Sequence, residues 1–120
     1  SRSAVQLLAH MGDLFDWALS IAEGRQAWKD EAPLPWEEEV LRFYAALRRF
    51  DDRLADPAEP KADAASLFQG PVADALTHLG QIALLRRLAL SPVKGENYYR
   101  AEILPGRIEP GTQTAPRREF

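Results

Sequence analysis

The sequence predicts an all-α protein, and three observations carry that reading. Apolar residues recur at spacings of three and four in three separate stretches. Each stretch opens on a helix-start signal. Proline-rich connections separate the stretches, and glycines and prolines break the pattern after the last of them. No sheet is expected beyond at most a short pairing near the C-terminus.

The first helix is expected over about 4–23. Ser3 and Gln6 have the spacing of a capping box, which satisfies the first free amides. Leu7, Leu8, Met11, Leu14, Phe15, Ala18 and Ile21 then form one buried stripe, and Gly24 suits a C-terminal stop. A loop follows, punctuated by Pro33 and Pro35. Pro35 fits the first turn of a second helix, and Glu37, Glu38 and Glu39 complement the positive end of its dipole. That helix is expected over 35–55, with Trp36, Val40, Phe43, Leu47, Phe50 and Leu54 as its apolar face. Arg48, Arg49, Asp51, Asp52 and Arg53 read as solvated.

Residues 56–64 are rich in proline, alanine and charge and read as a surface connection. Leu67 and Phe68 are apolar islands expected to plug one end of the core. Gly70-Pro71 is expected to open a third helix over 71–90, burying Val72, Ala75, Leu76, Leu79, Ile82, Leu85 and Leu88 or Leu90. Residues 91–120 read as an irregular C-terminal arm lying against residues 3–90, with a looser end from Thr112. The whole of 1–120 is expected to be one domain.

Composition narrows the function classes. The net charge is -3, without the basic surplus of a dedicated nucleic-acid binder. Nearly half the residues are hydrophobic, at 46%, which suits a folded chain rather than a disordered one. There is no cysteine, so disulfides, thiolate nucleophiles and cysteine metal sites are excluded. No run approaches the length of a membrane span and no signal-peptide pattern opens the chain. A cytoplasmic location is expected.

The chain has two histidines. His10 lies on the inner flank of the first helix, with Asp13 one turn further along. His78 lies on the third, four residues after Asp74, so Asp74 and His78 share a helix face about 6 Å apart. Two imidazoles and a carboxylate make a ligand set used by open divalent-metal sites. The same Asp-to-His spacing also serves as a hydrogen bond that orients an imidazole. Trp17, Trp28 and Trp36 fit a pocket lining or ordinary packing. The pairs Arg48-Arg49 and Arg86-Arg87 fit an anion site or a solvated face. No glycine-rich phosphate loop, no Ser-His-Asp order and no paired catalytic carboxylates stand out, so no catalytic residue is assigned.

Leu8-Ala9-His10-Met11-Gly12-Asp13, followed by Asp74-Ala75-Leu76-Thr77-His78-Leu79-Gly80-Gln81-Ile82, resembles the DinB-like superfamily. This superfamily consists of small helical bundles that include damage-inducible proteins and metal-dependent thiol transferases. The resemblance covers about Ser3 to Leu90. It implies a four-helix bundle in up-down-down-up order, of which this chain carries the second, third and fourth helices; the first would precede Ser1. It also implies His10, Asp74 and His78 as ligands of a divalent metal, with zinc or nickel expected. Asp74 departs from the pattern, standing where the family has a histidine.

Two functions follow as expectations. One is a metal-dependent transferase or hydrolase that activates a small thiol or water and acts on a small thiol or electrophile. The other is a non-catalytic helical interaction module that has lost a ligand. Three amphipathic helices and an arm make a thin core. Their apolar faces are expected to be covered by an upstream helix or by a second copy in a homodimer.

Overall fold

The structure is a computed structural model that describes residues 1–112 and 115. Among the described residues every regular element is helical. Helix α1 spans Ala4–Ala22. At its start the Ser3 hydroxyl accepts from the Gln6 N–H at 3.3 Å, and Gln6 Oε1 accepts from the Ser3 N–H at 2.8 Å. At its end Gly24 adopts φ +79, so the N–H groups of Gly24 and Arg25 turn back onto the carbonyls of Ile21 and Ser20. Helix α2 spans Trp36–Ala55, with Pro35 at its N-cap and three glutamates in its first turn.

The third helical run begins earlier than the Gly70-Pro71 signal suggests. It opens with a short helix α3, Ala64–Leu67, widens to a π-helical turn at Phe68–Val72, and continues as α4, Ala73–Leu88. The start is set by Asp63, whose carboxylate accepts from the Ser66 N–H at 2.8 Å and the Ser66 hydroxyl at 2.9 Å. Pro71 has no N–H to donate, and its ring would strike the carbonyl one turn earlier. The widened turn accommodates both defects within a continuous path. The run ends at Leu88 rather than Leu90. Leu90 takes the left-handed φ of +60, and the N–H groups of Leu90 and Ser91 close on Arg87 and Arg86.

Helix α1 lies in the middle. Helix α2 and the α3–α4 run both pack against it, and no Cα atoms of α2 and α4 come within 8 Å of each other. The radius of gyration, 15.1 Å, exceeds the roughly 13.6 Å of a close-packed chain of this length, as an open layer with an arm would. The core joins Met11, Leu14, Phe15, Ala18 and Ala22 of α1 to Ala46 and Phe50 of α2 and to Leu67 and Ala75. The fully buried alanines let the backbones approach closely.

Burial departs from the expected stripes on the outer helices. Leu67 plugs the core, but Phe68 is 60% exposed. Trp36 and Leu54 are also exposed. On α4, Leu76, Leu79 and Leu88 face outward, and Leu90 beyond it is exposed, while Val72, Ala75 and Ile82 face α1. The physical reason is that the apolar residues of α4 are spread around the helix among polar ones, so periodicity does not select its buried side. The arm shows no regular structure and is tied to α2 through Glu109 and Arg48 at 2.8 Å, with Tyr98, Tyr99 and Ile103 exposed. The looser end expected from Thr112 falls outside the described residues, Thr112 and Ala115 apart. No described helix is long and apolar enough to cross a membrane.

Candidate metal centre

His10, Asp74 and His78 converge. One ligand atom from each lies within 4.8 Å of the others. His78 Nε2 is 3.2 Å from Asp74 Oδ1, and His10 Nε2 is 3.8 Å from Asp74 Oδ2. The imidazoles meet edge to face, 4.8 Å between ring centroids. His10 sits in the second turn of α1, whereas Asp74 and His78 sit in the first two turns of α4. The α3 and π segments ahead of α4 bring that helix start level with the second turn of α1.

The proton positions make the arrangement specific. His78 Nδ1 lies 2.6 Å from Gln81 Oε1, and in the Nδ1–H tautomer it donates to that oxygen. In the neutral ring, Nε2 then presents a lone pair to a carboxylate oxygen 3.2 Å away. In that tautomer the nitrogen and the carboxylate oxygen are spaced to share a metal ion; in the other, the Nε2 hydrogen donates to Asp74. Gln81 plays the part usually taken by a group that accepts the second N–H of a metal-bound histidine. His10 is held below its ordinary value of 6.5, first by burial and then by the charges of Arg2 and His78; Asp74 and Asp30 work in the opposite direction. Its imidazole is therefore neutral at physiological pH, the form that binds metals.

The spacing fits an ion after a small adjustment. A tetrahedral ion bound at about 2.0–2.2 Å sets its ligand atoms roughly 3.3–3.6 Å apart. The 3.2 Å and 3.8 Å separations, to the two different oxygens of Asp74, lie on either side of that range, and the three ligand atoms, within 4.8 Å of one another, must draw together to share an ion. Asp74 is half exposed while both histidines are mostly covered, so the site opens on the carboxylate side. A polar cleft of about 370 Å3 lies against His10, lined by Arg2, Gln6, Asp13, Asp30 and Glu31 among others.

Trp28 packs edge to face on His10 at 5.6 Å and on Trp17 at 5.8 Å, whereas Trp36 lines a separate apolar groove with Ile82 and Leu85. The arginine pairs make internal contacts: Arg48 with Glu109, Arg49 with Asp16, and Arg86 with Ser91.

Sequence reasoning passed over Arg42. Its guanidinium is joined to the buried Asp13 and Glu39 at 3.0 Å each and donates to the Ala9 carbonyl at 2.7 Å. Burial works against the charge on Arg42, but hydrogen bonds and the field of the two carboxylates raise its pKa overall. Burial pushes the Asp13 carboxyl upward, opposed by Arg42 and the Glu31 N–H. The readable signal was Glu39 and Arg42 three apart, together with a glycine beside Asp13.

Comparison with known proteins gives no matching family model, no similar curated protein and no similar solved structure.

Proposed function

We propose that His10, Asp74 and His78 hold a divalent metal ion, zinc or nickel, and that the protein is a metal-dependent transferase or hydrolase acting on a small thiol or electrophile. The observation that carries this reading is the convergence of His10, Asp74 and His78, with one ligand atom from each within 4.8 Å of the others. When bound, a divalent ion held by only three protein ligands lowers the pKa of a small thiol or water at its open positions. The chain's own residues do the rest. Gln81 holds the His78 tautomer. Burial keeps His10 neutral. Trp28, itself 44% exposed, packs edge to face beside His10, and the cleft next to it has room for a small polar substrate.

The same reading places the chain among DinB-like four-helix bundles, with α1, α2 and α4 as the second to fourth helices. Its support is the order of the helices and the meeting of His10 with the Asp74–His78 pair. Titration of the purified, chelator-treated chain with zinc and nickel tests the metal: one equivalent bound at micromolar concentration or tighter is expected. Failure of both ions to bind would overturn the reading.

A second reading, a helical interaction module forming a homodimer, is favoured by the outward Leu76, Leu79 and Leu88 of α4. Sedimentation that gives a monomer at high concentration would remove it.

A further inference from the structure

The loop between α1 and α2 carries Trp28, which packs edge to face beside His10, yet it has no regular structure of its own. Three buried polar groups hold it. The Ala27 N–H donates to the Ser20 hydroxyl at 2.9 Å. The Glu31 N–H donates to Asp13 Oδ2 at 3.3 Å, and the Leu34 N–H donates to Glu39 Oε1 at 3.0 Å. Asp13 and Glu39 lie on different helices, and their remaining oxygens both meet one guanidinium, that of Arg42.

We infer that Arg42 is a positioning residue for the candidate metal centre: it locks Asp13 and Glu39 together, and through them sets the loop that seats Trp28 on His10.

The local chemistry is built for this. The guanidinium lies flat against α1 at Gly12, where a Cβ would come within 3.0 Å of Cζ. It uses all three of its faces, with Nη2 on the Ala9 carbonyl, Nη1 on Asp13 and Nε on Glu39. Ala9 immediately precedes His10, so the same group also touches the backbone of the ligand-bearing turn. Glu39 is fully buried and Asp13 is 3% exposed. Desolvating two carboxylates and one cation is costly, and apolar side chains of similar volume would hold two helices together as well or better. What apolar groups cannot do is accept the N–H groups of Glu31 and Leu34. The network therefore specifies where the loop goes, and the loop lines the cleft and carries Trp28. Lysine cannot replace arginine here, because an ammonium has no planar fork to span Asp13, Glu39 and the Ala9 carbonyl at once.

The inference rests on the proposed metal site, and its test separates the two. The full chain is labelled with 5-fluorotryptophan, and the Trp28 fluorine resonance is assigned with Trp28→Phe. Arg42→Lys is compared with Arg53→Lys. Arg53 also holds a loop through a guanidinium fork, donating to the Ala58 and Glu59 carbonyls. In the metal-free chain, Arg42→Lys is expected to move the Trp28 resonance toward its solvent-exposed position, and Arg53→Lys to leave it in place. Zinc affinity is expected to fall about tenfold in Arg42→Lys and not in Arg53→Lys.

An unmoved Trp28 resonance overturns the inference, as does a moved one with wild-type zinc affinity. A wild-type chain that binds no zinc removes the metal function, and the metal-free Trp28 readout still decides whether Arg42 sets the loop. Should Arg42→Lys fail to fold, Glu39→Gln keeps an acceptor for the Leu34 N–H and weakens the hold on Arg42. The same two readouts then apply, judged by the same criteria.

Discussion

Replacing Gly12 by alanine should destabilise the protein, although alanine is the better helix former. In an unobstructed helix interior the change gains about 0.8–1.0 kcal/mol. At Gly12 the added Cβ would lie 3.0 Å from the Arg42 Cζ and 3.1 Å from both terminal nitrogens. Ordinary carbon contacts begin near 3.5 Å, so the guanidinium must retreat by roughly 0.5 Å or more. It makes bonds of 2.7, 3.0 and 3.0 Å to Ala9, Asp13 and Glu39, and a rigid planar group cannot withdraw from one face without stretching the others. A hydrogen bond to a charged group contributes about 1.5–3 kcal/mol, so the loss of one outweighs the helix gain by roughly 0.5–2 kcal/mol. Gly80, in the interior of α4, is the internal control. Its added Cβ meets nothing within 4 Å, so Gly80→Ala should stabilise by about 0.8–1.0 kcal/mol. Urea unfolding followed by circular dichroism should show the two midpoints moving in opposite directions. Equal stabilisation of both variants would refute the placement of Arg42 against α1.

Three further expectations concern the site and the core. His78→Ala should abolish zinc binding and Asp74→His should strengthen it; isothermal titration that shows His78→Ala unchanged would remove His78 as a ligand. Because the folded state depresses the His10 pKa below 6.5, it disfavours the protonated ring. The stability due to neutral His10 is full above pH 6.5 and is lost as pH falls through the folded value. Metal-free wild type should therefore lose stability relative to His10→Gln below pH 6.5, and parallel melting curves from neutral pH downward would contradict this. Phe50 is buried against Phe15 at a ring separation of 5.8 Å, so Phe50→Ala should cost roughly 3–5 kcal/mol in a urea melt. A loss under 1 kcal/mol would mean that α2 is not docked as described.

What the sequence discloses depends on whether a signal is local. The Ser3–Gln6 box and Gly24 act on their own neighbourhoods, and both ends of α1 fall where they indicate. The start of α3 was also local, in Asp63 and Ser66, but the stronger punctuation of Gly70-Pro71 masked it. The pairing of His10 with Asp74 and His78 followed from there being only two histidines, and the residues do meet. The outward turn of Leu76 and Leu79 was not readable, because a helix whose apolar residues are spread around it carries no mark of its buried side. Arg42 was hidden for a different reason. A charged residue on an amphipathic helix reads as solvated, and Asp13, the Ala9 carbonyl and the room left by Gly12 all lie on α1, where they meet Arg42 only in three dimensions.

Because the backbones of α2 and α4 each pack on α1 while staying more than 8 Å from each other, the molecule has two seams. Arg42 stitches the first, and the histidine triad bridges the second. Opening the α4 seam should leave the α1–α2 pair closed, so backbone amides of α4 should exchange with solvent sooner than those of the Phe15–Phe50 region. An ion in the triad would act as a clasp on the weaker seam alone. It should slow exchange along α4 while leaving the slowest amides of α1 and α2 at their metal-free rates. Uniform protection of all three helices by metal in a hydrogen–deuterium exchange experiment would show instead that the layer opens as one cooperative unit.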